Sequence, residues 1–267
     1  MTLRSKHISP NKSLGQHWLH DRTTLVAMCD AAEVTTQDTI LEVGPGLGTL
    51  TEYLVERADQ VVAVEFDKTL AKRLPKEITA NNLTVHQQDI LRFDTTNLPA
   101  GYKVVANIPY YLTSNLIRQL SESPNPPAMA VLLVQKEVAE RVAAAPGDMS
   151  LLSVSAQYYW LVSLGMVVGA ELFTPPPKID SQILILKCRT EQLFDGVDDK
   201  RFFTVVKAGF SARRKTLHNS LAGGLRLEKS IVSVMLEKAG IANTLRPQEL
   251  SLNDWYKVYQ AFLGVIS

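Results

Sequence analysis

Asn107-Ile108-Pro109-Tyr110 is the most chemically specific segment of this 267-residue chain. An amide side-chain oxygen followed by a backbone carbonyl forms an acceptor pair that can grip both hydrogens of an exocyclic amine. Pro109 restricts Ile108 to extended conformations and so orients its carbonyl. A purine amine is a poor nucleophile because its lone pair is delocalised into the ring. Two acceptors favour a more pyramidal nitrogen, and the same dipoles stabilise positive charge developing there. Tyr110 offers a face on which a base can stack at near-attack geometry. Stacking is worth about 1–3 kcal/mol per base, enough to offset the few kcal/mol of unstacking a nucleotide. No general base of unusual pKa is needed, because the alkylated ammonium-like product is itself strongly acidic. The bland reading is a strand-ending turn with a surface tyrosine, and the glycine turn upstream argues against it.

That turn is Glu42-Val-Gly44-Pro-Gly46-Leu-Gly48, between an apolar run and a helical pattern. Glycines there let the backbone turn tightly and come close to a ligand. The spacing G-x-G-x-G is one residue short of the dinucleotide fingerprint, so a nicotinamide enzyme stays open on this motif alone. Glu65, at the end of the next apolar run, can accept two hydrogen bonds from a ribose diol, which suits NAD and S-adenosylmethionine equally. In Asp89-Ile90 a carboxylate can accept from an adenine amine and so points to an adenosyl ligand; its alternative task is to cap a helix.

The elements that must position these groups alternate regularly. Short runs at Thr39–Val43, Val61–Glu65, Leu83–His86, Lys103–Ala106 and Met129–Val134 read as strands, separated by helical patterns. The first helix, Asp21–Val34, has Asp21 as its cap. Repeated strand–helix units predict an α/β fold with a parallel sheet and helices on both faces. After Pro146-Gly147 the spacing predicts a helix over 151–160 and strands over 162–170 and 182–187, which can pair antiparallel at one end of the sheet. From about Asp195 only helical periodicity is left, over 200–209, 213–221, 228–239 and 252–263. The expected domains are therefore 1–192, including an arm over 1–20, and an all-helical 193–267.

The bulk numbers set limits. At 46% hydrophobic the chain can bury a full core plus a smaller second unit. Net charge is only +1, so a nucleic-acid partner must be argued from where charges sit. Cys29 and Cys188 match no disulfide or zinc spacing, and the five histidines have no metal-ligand spacing, so no metal site is expected. The polar, basic N-terminus lacks an apolar signal region, and no apolar run is long enough to span a bilayer. A soluble, cytoplasmic protein is expected.

Taken together, the motifs resemble the KsgA-type family of ribosomal RNA adenine dimethyltransferases almost end to end. Lys12-Ser-Leu-Gly-Gln-His-Trp-Leu19 is similar to that family's K-x-x-G-Q-N-F-L segment, and Phe173-Thr-Pro-Pro-Pro-Lys-Ile-Asp-Ser181 to its F-x-P-x-P-K-V-D-S loop. Gly209 to Leu221, with Arg213-Arg214-Lys215-Thr216, is similar to its F-x-x-R-R-K-T-L-x-N-S-L segment. The resemblance implies a Rossmann-like class I methyltransferase with a mostly parallel seven-stranded sheet and S-adenosylmethionine as cofactor. It implies methionine-end contacts from His17 and Leu19, contacts at Gly44 and Gly46, ribose binding by Glu65, adenine binding at Asp89 and Ile90, and a site contribution from Asn107. Phe173 would face Tyr110 across a flipped adenine. The implied substrate is a pair of adjacent adenosines in the hairpin loop near the 3′ end of small-subunit rRNA, each dimethylated within a pre-30S particle. Position 17 is a departure: His stands where most bacterial relatives have Asn, so the pH dependence of cofactor binding could differ.

Basic residues cluster around that last motif. Arg201, Lys207, Arg213, Arg214, Lys215, Arg226 and Lys229 make that stretch locally basic, and Arg213, Arg214 and Lys215 with Lys12 and Lys178 are the expected RNA contacts, although such a run is often only a solvated helix face. The competing readings are the large-subunit methyltransferase of macrolide resistance, a nicotinamide oxidoreductase and a non-catalytic ribosome-assembly factor. A monomer is expected, since no exposed apolar stripe stands out.

Overall fold

The computed structural model describes residues 10, 11, 14–212 and 214–266. They fall into two compact units. The first runs to Ala139 and resumes over Leu161–Cys188; the second holds Glu140–Trp160 and the chain after Arg189.

The first unit is built on a seven-stranded sheet. Its strands are β2 (Thr39–Val43), β3 (Gln60–Glu65), β4 (Leu83–Gln87), β5 (Lys103–Asn107), β6 (Met129–Gln135), β7 (Trp160–Val168) and β9 (Ser181–Cys188), in the order β4-β3-β2-β5-β6-β9-β7. The five strands from β4 to β6 are parallel, and β9 joins β6 antiparallel with Met129 opposite Lys187 and Gln135 opposite Ser181. β6 is buried at every residue from Met129 to Val134, so both its faces are covered. Helices α1 (Arg22–Ala31), α2 (Thr49–Arg57), α3 (Lys68–Glu77), α4 (Thr113–Glu122) and α5 (Lys136–Val142) connect the strands. Asp21 caps α1 by accepting from the Thr24 N–H at 2.8 Å, and α1 buries Leu25, Met28 and Cys29 in a core shared with Ile40, Val61 and Val131.

Because β4, β3, β2 and β5 are parallel neighbours, their carboxyl ends share one edge. Asp89, Glu65, Gly44 and Asn107 therefore follow in that spatial order, spread over three strand spacings or roughly 14 Å. Helical periodicity and strand runs do not show a second, two-stranded sheet in which β1 (Trp18–Leu19) lies antiparallel to β8 (Phe173–Thr174), with Leu19 opposite Phe173. This ladder ties the N-terminal arm to the proline-rich loop.

The second unit is helical: α6 (Leu151–Tyr159), α7 (Asp199–Gly209), α8 (Leu217–Leu225), α9 (Lys229–Ala239) and α10 (Leu252–Ile266). They enclose Tyr158, Phe202, Leu221, Met235 and Trp255. The chain leaves the first unit near the expected break at 192, but α6 also belongs to the second unit, an excursion that a single break leaves out. Its Tyr158 and Tyr159 hydroxyls donate to the two oxygens of Asp199 at 2.7 and 3.0 Å. α8 starts at Leu217 rather than at 213, because Thr216 takes an extended conformation and caps the helix through its hydroxyl.

Candidate functional site

The glycine loop after β2 has φ of +66° at Gly44, +59° at Gly46 and +85° at Gly48, all in the left-handed region. At Gly48 a Cβ would also lie 2.6 Å from Ile78 Cδ1 and 2.7 Å from Leu74 Cδ1, so the start of α2 fits only without one. The Gly46 N–H donates to Glu65 Oε2 at 3.0 Å and the Asp67 N–H to Glu65 Oε1 at 2.8 Å. These bonds hold the carboxylate at the end of β3 and leave lone pairs on each oxygen. Burial pushes the Glu65 carboxyl above its ordinary 4.5, and the two N–H groups partly counter that. Behind the loop, Glu42 is 1% exposed and accepts from Thr51 Oγ1 at 2.7 Å. Burial pushes its carboxyl up to about 8.

Asp89 caps the turn Ile90–Arg92 by accepting from the Leu91 N–H at 3.0 Å through Oδ1. The cap and an adenine contact are compatible, because the cap engages only one of the two oxygens.

At the end of β5, Asn107 Nδ2 donates to the His17 carbonyl at 3.2 Å. That bond fixes the amide's orientation and leaves Oδ1 as the acceptor for a ligand. The Tyr110 hydroxyl bonds Ser181 Oγ at 2.9 Å, and burial pushes its phenol pKa upward, so the ring stays neutral. The His17 imidazole donates through Nδ1 to the Pro175 carbonyl at 2.7 Å and lies parallel to Tyr110, 18° between planes and 5.8 Å between centroids.

A cavity of about 230 Å³ runs along this edge. Its lining brings together His17, Leu19, Gly44, Gly46 and Glu65. Asp89, Ile90, Asn107, Pro109 and Tyr110 complete the set. Phe173 lies outside this lining: it is 3% exposed and belongs to the core cluster with Leu19, Leu133 and Ile183, where β8 is held against β1. Lys178 is exposed in the first unit, and Arg214 and Lys215 are exposed in the second. Lys12 and Arg213 lie outside the described residues.

Three further features are added by the structure. Ser181 anchors Tyr110, which its place at the end of the proline-rich loop hinted at. Tyr111, 65% exposed, stands at the cavity rim beside Gly15. Trp18 lines the cavity within 3.5 Å of a Cβ position on Gly46, and its buried indole N–H has no partner among the described residues. An anionic ligand group would satisfy that donor. With the acceptors at Glu65 and Asp89, this donor completes a hydrogen-bonding set of the kind an adenosyl amino acid requires, and the residues fit S-adenosylmethionine. Among the described residues no cluster of His, Cys, Asp or Glu could hold a metal ion, and no helix is long and apolar enough to cross a membrane.

The chain is 42% identical over 260 residues to ribosomal RNA small subunit methyltransferase A of Dehalococcoides mccartyi, covering 95% of this chain and 87% of that one. Its fold is similar to that of a dimethyladenosine transferase from Plasmodium falciparum, with a TM-score of 0.80, 26% identity, and 93% of this chain and 98% of that one covered. The 23S rRNA methyltransferase ErmE is also similar, with a TM-score of 0.73, 29% identity, and 91% and 98% covered. The sequence model of the ribosomal RNA adenine dimethylases matches residues 8–263, and the chain belongs to that family.

Proposed function

We propose that this chain dimethylates N6 of two adjacent adenosines in the hairpin loop near the 3′ end of small-subunit rRNA, using S-adenosylmethionine. The observation that carries the reading is Asn107, whose Nδ2 is engaged by the His17 carbonyl so that Oδ1 is left for an amine hydrogen, one strand away from the glycine loop. The bound cofactor supplies an electrophilic methyl group on a sulfonium.

The chain's own residues do the rest. Glu65 accepts from the ribose hydroxyls and Asp89 from the cofactor's adenine, while His17, Trp18 and Leu19 cover the methionine end. Asn107 Oδ1 and the Ile108 carbonyl hold the target amine, and Pro109 keeps that carbonyl aimed. Tyr110, fixed through Ser181, stacks on the base and aligns it. The same acceptors stabilise the cationic nitrogen of the transition state, whose proton then passes to water. Lys178, Arg214 and Lys215, with Lys12 and Arg213, contact phosphates of rRNA within a pre-30S particle. The protein acts in the cytoplasm as a monomer.

A large-subunit substrate is the second reading, favoured by the likeness to ErmE. The higher identity to a small-subunit methyltransferase supports the first. A nicotinamide enzyme would leave Asn107 and Tyr110 without a task. The test is transfer of tritiated methyl from labelled cofactor into unmethylated 30S particles, with protein-free large-subunit RNA alongside, followed by identification of the modified bases. Label recovered as N6,N6-dimethyladenosine at two neighbouring positions of the small-subunit RNA is expected. Label confined to the large-subunit RNA overturns the reading.

A further inference from the structure

An adenine taken out of its stack brings ring nitrogens into the site as well as an amine, and these acceptors need a donor once water is excluded. Asn107 Oδ1 and the Ile108 carbonyl are themselves acceptors, so they serve only the amine. The sheet places an amide donor beside them. In the order β5-β6-β9, Tyr110 follows β5, and its hydroxyl bonds Oγ of Ser181, the first residue of β9, at 2.9 Å. The phenol ring therefore crosses the carboxyl end of β6, and the last residue of that strand is Gln135. Gln135 stands opposite Ser181, so the two side chains project to one face with Cβ atoms roughly 5 Å apart. The next pair inward on that face, Leu133 and Ile183, packs with Leu19 and Phe173, and Leu133 is also the register partner of Asn107. Gln135 is thus on the Asn107 face of the sheet, outside the lining of the cofactor cavity. Its backbone is held by this pairing and by the next N–H, that of Lys136, which donates to the Asp180 carbonyl at 3.0 Å. Its half-buried side-chain amide has no hydrogen-bond partner among the described residues.

We propose that Gln135 is a further residue of the target-base site, its amide donating to a ring nitrogen beside the amine. This rests on the adenine reading of the site given above. A base stacked on Tyr110 lies over the end of β6, where the Gln135 amide is the group on hand. The acceptors hold the amine and the phenol ring holds the plane of the base. A donor on a ring nitrogen stops the base from turning within that plane, which keeps the amine in line with the methyl group. Side-chain amides pair with the same edge of adenine in duplex recognition. Because the amide is unpaired in the free protein, its removal costs the fold no hydrogen bond, and the loss falls on the substrate alone.

Gln135→Met keeps the length of the side chain and removes its donors. Wild type and variant are assayed at saturating S-adenosylmethionine on unmethylated 30S particles rebuilt with adenosine, 1-deazaadenosine or 7-deazaadenosine at the target positions. Thermal melts and calorimetry with S-adenosylhomocysteine accompany the assay. On adenosine the variant is expected to lose about tenfold or more in kcat/KM, as for a buried acceptor left without its donor. On whichever deaza base lacks the contacted nitrogen, wild type and variant should agree within about twofold, because the two removals are then not additive. The other deaza base should preserve the gap and so identify the nitrogen. Tm should stay within about 2 °C and S-adenosylhomocysteine affinity within about twofold. An unimpaired variant, a gap that persists on both deaza bases, or a fall in Tm or cofactor-product affinity that accounts for the lost activity each overturns the proposal. If wild type itself fails to methylate the adenosine particles, the functional reading falls, and this inference with it; an active wild type isolates the role of Gln135.

Discussion

The carboxylate of Glu65 and the amide of Asn107 are both held by one set of hydrogen bonds and leave another set for a ligand. Ribose hydroxyls donate to a carboxylate more strongly than to a carboxylic acid. Because burial raises the Glu65 pKa above 4.5, acid removes the stronger acceptor sooner than for an ordinary glutamate. S-adenosylhomocysteine affinity should therefore weaken as pH falls toward that raised value, and Glu65→Gln should bind weakly with this acid-side dependence removed. Calorimetry across pH checks it: an unchanged slope in the variant excludes Glu65 as the titrating acceptor. For Asn107→Ala, removal of a dipole aimed at the developing charge should lower kcat about a hundredfold or more. Single-turnover methylation reads that step directly, and a variant within a few-fold of wild type counts against the amide's role. Glycines, Glu65, Asp89 and Asn107 are legible in the sequence because each follows a strand whose apolar run marks its carboxyl end. The rotation of the Asn107 amide is not, since its partner is the carbonyl of His17, which lies 90 positions away.

Among the elements, β2 carries an acidic residue in an otherwise apolar strand, and the burial of Glu42 makes the unit sensitive to pH. In the unfolded chain this carboxyl titrates near 4.5, and in the fold near 8. Between those values the unfolded state has released the proton that the folded state keeps, so stability declines as pH rises through the window. Glu42→Gln should flatten that decline, raising Tm by a few degrees at the alkaline end and less at the acid end. Thermal melts at several pH values test it, and parallel wild-type and variant curves would exclude Glu42 as the cause. The same strand illustrates which elements sequence reveals. Strands β2, β3, β5 and β6 are largely apolar runs of strand length and β4 alternates Leu83 and Val85 with polar residues, so all five can be foreseen, whereas β1 and β8 are two residues each and carry no periodicity to detect. The packing of Phe173 is hidden for that reason: a loop motif gives a side chain's type, but the β1–β8 register is what sets its core neighbours.

For the whole molecule, a net charge of +1 leaves RNA affinity to local clusters, and Lys178, Arg214 and Lys215 are exposed on their respective units. Each cation withdrawn from a phosphate should lower the slope of log affinity against log salt by about 0.7–0.9. Replacing all three by Gln should thus lower the slope for 30S binding by about two to three in total, with S-adenosylhomocysteine affinity unchanged. A slope equal to that of wild type would show that these side chains face water in the complex. The core beneath α1 has a chemical consequence of its own. Cys29 is fully enclosed there, and burial pushes its thiol up to about 11, so it holds almost no thiolate near neutrality and no reagent can reach it. Its modification by a maleimide then requires the surrounding strands and helices to come apart. The labelling rate at this sulfur becomes a clock for how often the catalytic half of the chain breathes, and ligands that close the cavity should slow it.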